Sequence, residues 1–351
     1  MGLFSRRSSS AADSVPTPLD GVDTVLADLD GVVYAGAGAI AHAVESINRA
    51  RESARVGYIT NNASRTDRAV AEHLSDLGLP TRPEEIVTSP QAAMRLLSSR
   101  VAPGSTILVV GGDGLVDELH KAGFTVTRSA EDAPAAVVQG FAPEVDWNQL
   151  AEAAYALQIP EDEGGIPWIA TNTDWTIPKE RGIAPGNGTL VSAVHTAVGR
   201  LSTVAGKPET PIFEEAVSRF AAKKALFLGD RLDTDILGAN RAGIASLHVL
   251  TGIDRPKHVL AAPPDSRPDF IVADLRGLFE PYPETVIDGE RVSVGDATVR
   301  IDGPDIVIER AGDQLNLLRA GAQAIWRSGR AIFGFRVPEQ LYADPFAGRR
   351  S

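Results

Sequence analysis

The chain has 351 residues, 43% of them hydrophobic and 23% charged, which is enough for two domains and an appendage. A net charge of −12 excludes general nucleic-acid binding, which needs a basic surface, but leaves room for a small phosphorylated ligand in a local positive pocket. The absence of cysteine excludes disulfides, thiolate catalysis and cysteine metal sites, and suits a cytoplasmic location.

Met1-Gly2 opens like a myristoylation signal, but Arg6 stands where that signal needs Ser or Thr. Arg6-Arg7 resembles a twin-arginine export signal, yet no apolar segment follows it. Residues 1–19 are Ser-rich and are expected to form a flexible tail. No uninterrupted apolar run reaches about 18 residues, so no membrane span is expected.

From Asp20 onward short β-branched runs alternate with helical periods. "VDTVLADLD" predicts a strand, "IAHAVESINRARESA" a helix, "RVGYIT" a strand, and "RTDRAVAEHLSDLGL" a helix ending near Gly78. Residues 86–198 carry an alternation of their own in "TILVVGG", "GLVDELHKAGF", "AAVVQGF", "WNQLAEAAYALQ" and "PWIATNTD", and are expected to be an inserted α/β domain. Gly112-x-Gly114-x-x-Asp117 lacks the third glycine of a dinucleotide fingerprint and is expected to be a tight turn. The first pattern then resumes with "KALFLGD", "TDILGANRAG" and "ASLHVLTG". Strand–helix–strand alternation with short connections predicts a doubly covered parallel sheet, built from residues 20–85 and 199–283. Residues 284–351 change texture. "VIDGERVSVGDATVRIDGPDIVIER" alternates with period two between Asp-Gly and Gly-Asp turns, "GDQLNLLRAGAQAIWRSG" is helical, and "AIFGFRVP" predicts a final strand. This appendage is a small α+β unit whose hairpins offer an edge at which two copies could pair.

Ligands of such sheets gather beyond the carboxyl ends of the strands, where Asp28, Thr60, Lys207 and Asp230 fall. Asp28 and Asp30, two apart in extended chain, can face one pocket. Taken alone, Asp-x-Asp-Gly is equally a solvated turn or a fragment of a calcium loop; Val32, where that loop needs another oxygen ligand, excludes the latter. Thr60, Asn61 and Asn62 supply a hydroxyl and amides for an anion, or an ordinary turn. Lys207, between Gly206 and Pro208, lies outside regular structure and is either a surface charge or a point charge for a phosphate. Of Asp233 and Asp235, helix capping accounts for one; Asp230 precedes the cap at a strand tip.

The ordered set Asp-x-Asp-Gly, Thr-Asn-Asn, Gly-Lys-Pro and Gly-Asp-x-x-x-x-Asp resembles the haloacid dehalogenase superfamily of phosphatases. The similar members carry a large α/β cap inserted after the second motif, and "ATNTD" and "PGNGTLVSAV" resemble their return from cap to core. The resemblance spans about residues 22–280 and leaves the C-terminal appendage as an addition. It implies a Rossmann-like core with cap, and a magnesium-dependent phosphatase of a small phosphomonoester, best glycerol 3-phosphate or 2-phosphoglycolate. A nucleoside monophosphate, a sugar phosphate or pyridoxal phosphate are alternative substrates, and a non-catalytic phosphometabolite sensor is the alternative of another class. By the same resemblance Asp28 is the nucleophile and Asp30 the acid and base. Thr60, Asn61, Asn62 and Lys207 bind the phosphate. Asp28, the Asp30 carbonyl and Asp230 hold Mg2+, and Asp235 orients the site. Asn172, Asp174 and Thr176 are the cap's candidates for specificity. Trp175 could join them or pack cap against core, and His195 is expected on a helix face, away from the chemistry.

Overall fold

The computed structural model describes residues 15–63, 65–179 and 181–343. Its first sheet has six parallel strands in the spatial order Phe270–Val272, Ala245–Val249, Ala225–Gly229, Thr24–Ala27, Arg55–Thr60 and Ile86–Thr88. Thr24–Ala27 is a central strand, and successive side chains enter opposite layers. Val25 and Ala27 pack with Ile47 and Leu74 on one face, and Leu26 packs with Phe213 and Phe227 on the other. Burial on both faces is why this strand is an unbroken apolar run and not an alternation.

A second parallel sheet has the order Thr203–Val204, Trp168–Ala170, Ala136–Gln139, Thr106–Val110 and Thr125–Thr127. Helix Ser89–Ser98 lies between the sheets: its Ala92, Ala93 and Leu97 share one apolar layer with Leu26 and Ile59 below and with Ile107 and Val109 above. The expected insert boundaries shift accordingly. Ile86–Thr88 is the edge strand of the first sheet, so the second unit begins after Thr88, not at residue 86. Thr203–Val204 is the edge strand of the second, so that unit extends past residue 198. Both strands are too short to display a period.

The C-terminal unit is a four-stranded antiparallel sheet, Thr285–Asp288, Arg291–Val294, Ala297–Asp302 and Asp305–Arg310, covered by helix Gln314–Arg327. Gly289, Gly295 and Gly303 turn its hairpins at φ of 59°, 57° and 59°, conformations that glycine adopts without strain. Arg319 ties the helix to the edge of the first sheet by donating from Nε and Nη2 to the Ile271 carbonyl at 2.9 and 2.6 Å. The strand expected over "AIFGFRVP" is instead a short 3-10 turn at Ile332–Gly334, with a single bridge between Asp305 and Arg336. Phe333, 97% exposed, breaks the alternation that a strand would need.

Residues 1–14 of the tail lie outside the described residues. The expectation of flexibility through residue 19 does not hold from Pro16 onward. The Pro16 carbonyl accepts from Tyr282 N–H at 3.0 Å, Thr17 N–H donates to Asp20 Oδ2 at 2.8 Å, and Pro18 is buried. Among the described residues no helix is long and apolar enough to cross a membrane.

One buried group makes this fold sensitive to acid. His248, on the strand beside Ala225–Gly229, is fully buried, and one ring nitrogen lies 3.3 Å from the Asp254 carbonyl. Burial holds its imidazole down to about 4 from an ordinary 6.5. A depressed folded value means that its contribution to stability is complete above pH 6.5 and is lost as pH falls toward 4. The loss amounts to about 3 kcal/mol at ~1.4 kcal/mol per unit. Urea unfolding of wild type and His248→Gln at about pH 7 and about pH 4.5 should show the variant losing less; equal losses would reject the role.

Candidate active site

The carboxyl ends of the first sheet gather the predicted residues. Asp28 N–H donates to the Leu228 carbonyl at 2.9 Å, which prolongs the strand pairing by one residue and holds the carboxylate at the sheet's rim. The chain then turns through Gly31, at φ +83°, whose N–H donates to the Tyr34 carbonyl at 2.9 Å. A Cβ at Gly31 would run into the Asp230 carboxylate, so only glycine lets the two loops approach. Lys207 Nζ stands between two carboxylates, 2.6 Å from Asp28 Oδ1 and 2.7 Å from Asp235 Oδ1.

Asp235 works in two directions. Its Oδ1 holds Lys207, while its Oδ2 accepts the N–H groups of Asp230 and Arg231, each at 3.1 Å. The wide turn Leu232–Ile236, of the π type, brings it back under the strand tip. Asp233 instead pairs with the Arg231 guanidinium at the surface. Asp230 Oδ2 accepts from Ile253 N–H at 2.6 Å, and its Oδ1 is buried with no hydrogen-bond partner among the described residues.

Asp28, Asp230 and Asp235 each offer an oxygen within 4.8 Å of the other two, and all three are buried. Three carboxylates against the one Lys207 ammonium leave two negative charges uncompensated. Burial pushes the Asp28 carboxyl up to about 7, with Asp235 adding to the rise and Lys207 opposing it. Burial, Asp235 and Asp28 push Asp230 well above the carboxylate range. Burial works against the Lys207 ammonium, but Asp235 and Asp28 outweigh it and hold its value above that of a free lysine. A hard divalent cation, which prefers oxygen ligands, would cancel the excess charge and occupy the orphaned Asp230 oxygen. The acidic cluster thus brings together Asp28 and Asp230, the two carboxylates expected at the metal, and that of Asp235, expected as an orienter. Asp30 is exposed at the turn, and its expected contribution was a backbone carbonyl. Neighbouring protein nevertheless withdraws its carboxyl from water enough to raise its value, against Lys207, Arg65 and His73.

Thr60 ends its strand almost fully buried, its Oγ1 accepting from Asn62 N–H at 3.1 Å. Asn61 departs from expectation. Its Oδ1 accepts Lys207 N–H at 2.8 Å, and its Nδ2 donates to the Lys207 carbonyl and to Asp174 Oδ1, both at 3.0 Å. The side-chain amide is spent on protein, so it braces the Lys207 loop and leaves only the backbone N–H of Asn61 to meet a phosphate.

Of the cap candidates, Asp174 reaches the site through Asn61, and burial raises its carboxyl. Asn172 is buried and donates to the Asn61 carbonyl at 2.7 Å. Thr176 opens the hairpin Thr176–Lys179 and Gly182–Pro185 and is exposed, outside the acidic cluster. Trp175 is 65% exposed and does not pack the second unit against the first. His195 Nδ1 lies 2.9 Å from the Arg200 carbonyl at a helix end, away from the site. Sequence spacing gave no sign of Tyr34 and His73, whose rings meet edge to face at 5.1 Å close to Asp30. Nor did it mark Ser89, which donates to the Asn61 carbonyl at 2.8 Å.

Known proteins resemble the chain over most of its length. The haloacid dehalogenase-like hydrolase model matches residues 25–125, and a HAD-hydrolase-like model matches residues 204–278. The D-glycerol 3-phosphate phosphatase of Mycobacterium tuberculosis is 42% identical over 317 residues, covering 88% of this chain and 87% of its own. The glycerol-3-phosphate phosphatase of Gallus gallus is 36% identical over 264 residues, covering 69% of this chain and 83% of its own. The crystal structure of a glycerol phosphate phosphatase from Mycobacterium tuberculosis in complex with magnesium superposes with a TM-score of 0.81 at 38% identity. It covers 92% of this chain and 95% of that one.

Proposed function

The chain belongs to the haloacid dehalogenase-like hydrolases and is a phosphatase, and on that premise we propose that it hydrolyses glycerol 3-phosphate through an aspartyl-phosphate on Asp28, with magnesium bound. The observation that carries the reading of the site is Lys207 Nζ between Asp28 and Asp235, with a buried, unpartnered Asp230 oxygen in the same acidic cluster. What favours glycerol 3-phosphate is the kinship with enzymes of that name, from two distant organisms, over most of the chain.

Asp28, Asp230 and the Asp30 carbonyl would hold magnesium, which when bound would supply the positive charge that lets an anionic carboxylate approach an anionic phosphate. Lys207 and the Thr60 hydroxyl hold the phosphoryl oxygens, with Asn62 beside them, and so oppose the charge that spreads there in the transition state. An Asp28 oxygen bonds to phosphorus as the phosphorus–alkoxide bond breaks. Asp30 gives its carboxyl proton to the departing glycerol oxygen. The Asp30 carboxylate then takes a proton from water, whose oxygen bonds to phosphorus as the bond to Asp28 breaks. Ester and water become glycerol and phosphate, and both carboxyls return to their starting states. Asp235 keeps Lys207 and the Asp230 loop in register throughout.

Release of phosphate should be measured for glycerol 3-phosphate, 2-phosphoglycolate, a sugar phosphate, a nucleoside monophosphate and pyridoxal phosphate. Glycerol 3-phosphate is expected to give the highest kcat/KM, and a tenfold preference for another ester would overturn the substrate. A chelator should lower every rate by about 100-fold or more, as the loss of several kcal/mol of charge stabilisation implies. Added magnesium should restore them, and undiminished rates in chelator would overturn the metal.

A further inference from the structure

We infer that Asn172 and Asn187 are positioning residues for Lys207, acting through a chain of amide hydrogen bonds that begins in the second unit and ends on the lysine's own peptide. The inference rests on the reading of Lys207 as the phosphate-holding lysine. Asn187, at the start of helix Asn187–Val198, donates from Nδ2 to the Asn172 carbonyl at 2.7 Å. Asn172 donates from Nδ2 to the Asn61 carbonyl at 2.7 Å. Asn61 closes on both backbone groups of Lys207, at 2.8 and 3.0 Å.

The pattern is the same at each step: one side-chain amide grips the backbone of the next segment, and the four segments come from separate parts of the chain. Asn187 and Asn172 are 0% and 3% exposed, so water does not replace a lost bond. Gly206 has no room for a Cβ against Asn61 Oδ1 and the Thr171 carbonyl, which leaves the Lys207 loop little freedom of its own. At the far end Lys207 Nζ is only 2.6 Å from Asp28, a spacing that a small shift of the loop would spoil. Misplacing a reacting group by about 1 Å can cost ~100-fold in rate. The position of the second unit is thereby transmitted to the lysine without either asparagine touching the substrate.

The test measures kcat and KM on p-nitrophenyl phosphate, with magnesium, for Asn172→Asp, Asn187→Asp and the double variant, with folding checked by circular dichroism and thermal melting. Each single change should lower kcat about tenfold, the effect of one buried hydrogen bond left unpaired, with KM held within about threefold. Because both act along one chain, the double variant should be no slower than the worse single. Thr189→Val removes a bond of similar length to the Trp175 carbonyl, outside the chain, and should keep wild-type kcat. If Asn187→Asp does not fold, Asn187→Ser carries the same expectation. Lys207→Ala separates the two levels. If it is inactive while both asparagine variants turn over normally, or their losses multiply, the positioning role is overturned. If Lys207→Ala is active, the reading of the site falls first.

Discussion

Asp28→Asn should abolish turnover and, with metal withheld, leave the protein more stable than wild type. The asparagine keeps the shape and the room of the carboxylate but cannot capture phosphorus as an acyl phosphate. Turnover should fall by about 10⁵-fold or more, the scale seen when a covalent nucleophile is removed. The stability effect follows from the same cluster. Asp28, Asp230 and Asp235 crowd around one ammonium, and burial raises Asp28 to about 7 from an ordinary 3.8. A folded value above the unfolded one means that the folded state favours the protonated carboxyl. That contribution is complete below about pH 4 and is lost as pH rises through about 7. At about pH 8 without metal, wild type therefore holds an ionised group that the fold resists, at a cost of about 4 kcal/mol. The variant does not. In chelator its melting temperature should exceed that of wild type at about pH 8, and the gap should narrow as pH falls and close near about pH 4. Excess magnesium should reverse the order, because it binds the intact cluster more tightly. A variant that melts below wild type in chelator at about pH 8 would show that the cluster is not short of positive charge. A variant that keeps turning over would end the role of Asp28.

How far the sequence carried this site depends on what each residue is doing. Asp28 and Asp230 were legible because strand ends are marked by apolar runs, and a parallel sheet sends all those ends to one side; Lys207, which follows the edge strand Thr203–Val204 of the second sheet, was legible from its place between Gly206 and Pro208. Asp235 was legible as an orienter, though its two-way grip on Lys207 and on the Asp230 loop needed the fold. Asn61 escaped for a physical reason. An amide just past a strand has the same local pattern whether it faces a ligand or another loop, and here the deciding partner is the Lys207 peptide, far along the chain. Tyr34 and His73 lie on separate elements and share no spacing, so only packing brings their rings together beside Asp30. In the fold, long periodic elements are legible and three-residue ones are not. Ile86–Thr88 holds one turn of alternation at most, yet it sets where the first sheet ends. The hairpin Thr176–Lys179 and Gly182–Pro185 is hidden because Trp175 and Ile183 look like core residues in sequence but stand 65% and 79% exposed.

The second large effect belongs to Asp30→Asn, and its signature is a dependence on the leaving group. Glycerol leaves as a strongly basic alkoxide and needs a proton in the transition state, so loss of the acid should lower kcat on glycerol 3-phosphate by about 10²–10⁴-fold. Nitrophenolate leaves without help. On p-nitrophenyl phosphate the variant should therefore still transfer the phosphoryl group to Asp28, and then stall, because the residue that activates water is also gone. Rapid mixing should show a burst of nitrophenolate equal to the enzyme concentration, followed by slow turnover, whereas glycerol 3-phosphate should give no burst of glycerol. On glycerol 3-phosphate KM should change little, since Asp30 is not among the groups that hold the phosphate, whereas on p-nitrophenyl phosphate it should fall with kcat as the phospho-enzyme accumulates. The raised Asp30 carboxyl suits the acid step, because withdrawal from water outweighs Lys207 and leaves more of the acid form near neutrality than a free carboxyl would have. The wild-type rate on glycerol 3-phosphate should accordingly fall as pH rises past that raised value, and the variant should lose this limb of the profile. Equal losses on both esters with no burst would mean that one step alone is affected, and the double role of Asp30 could not stand.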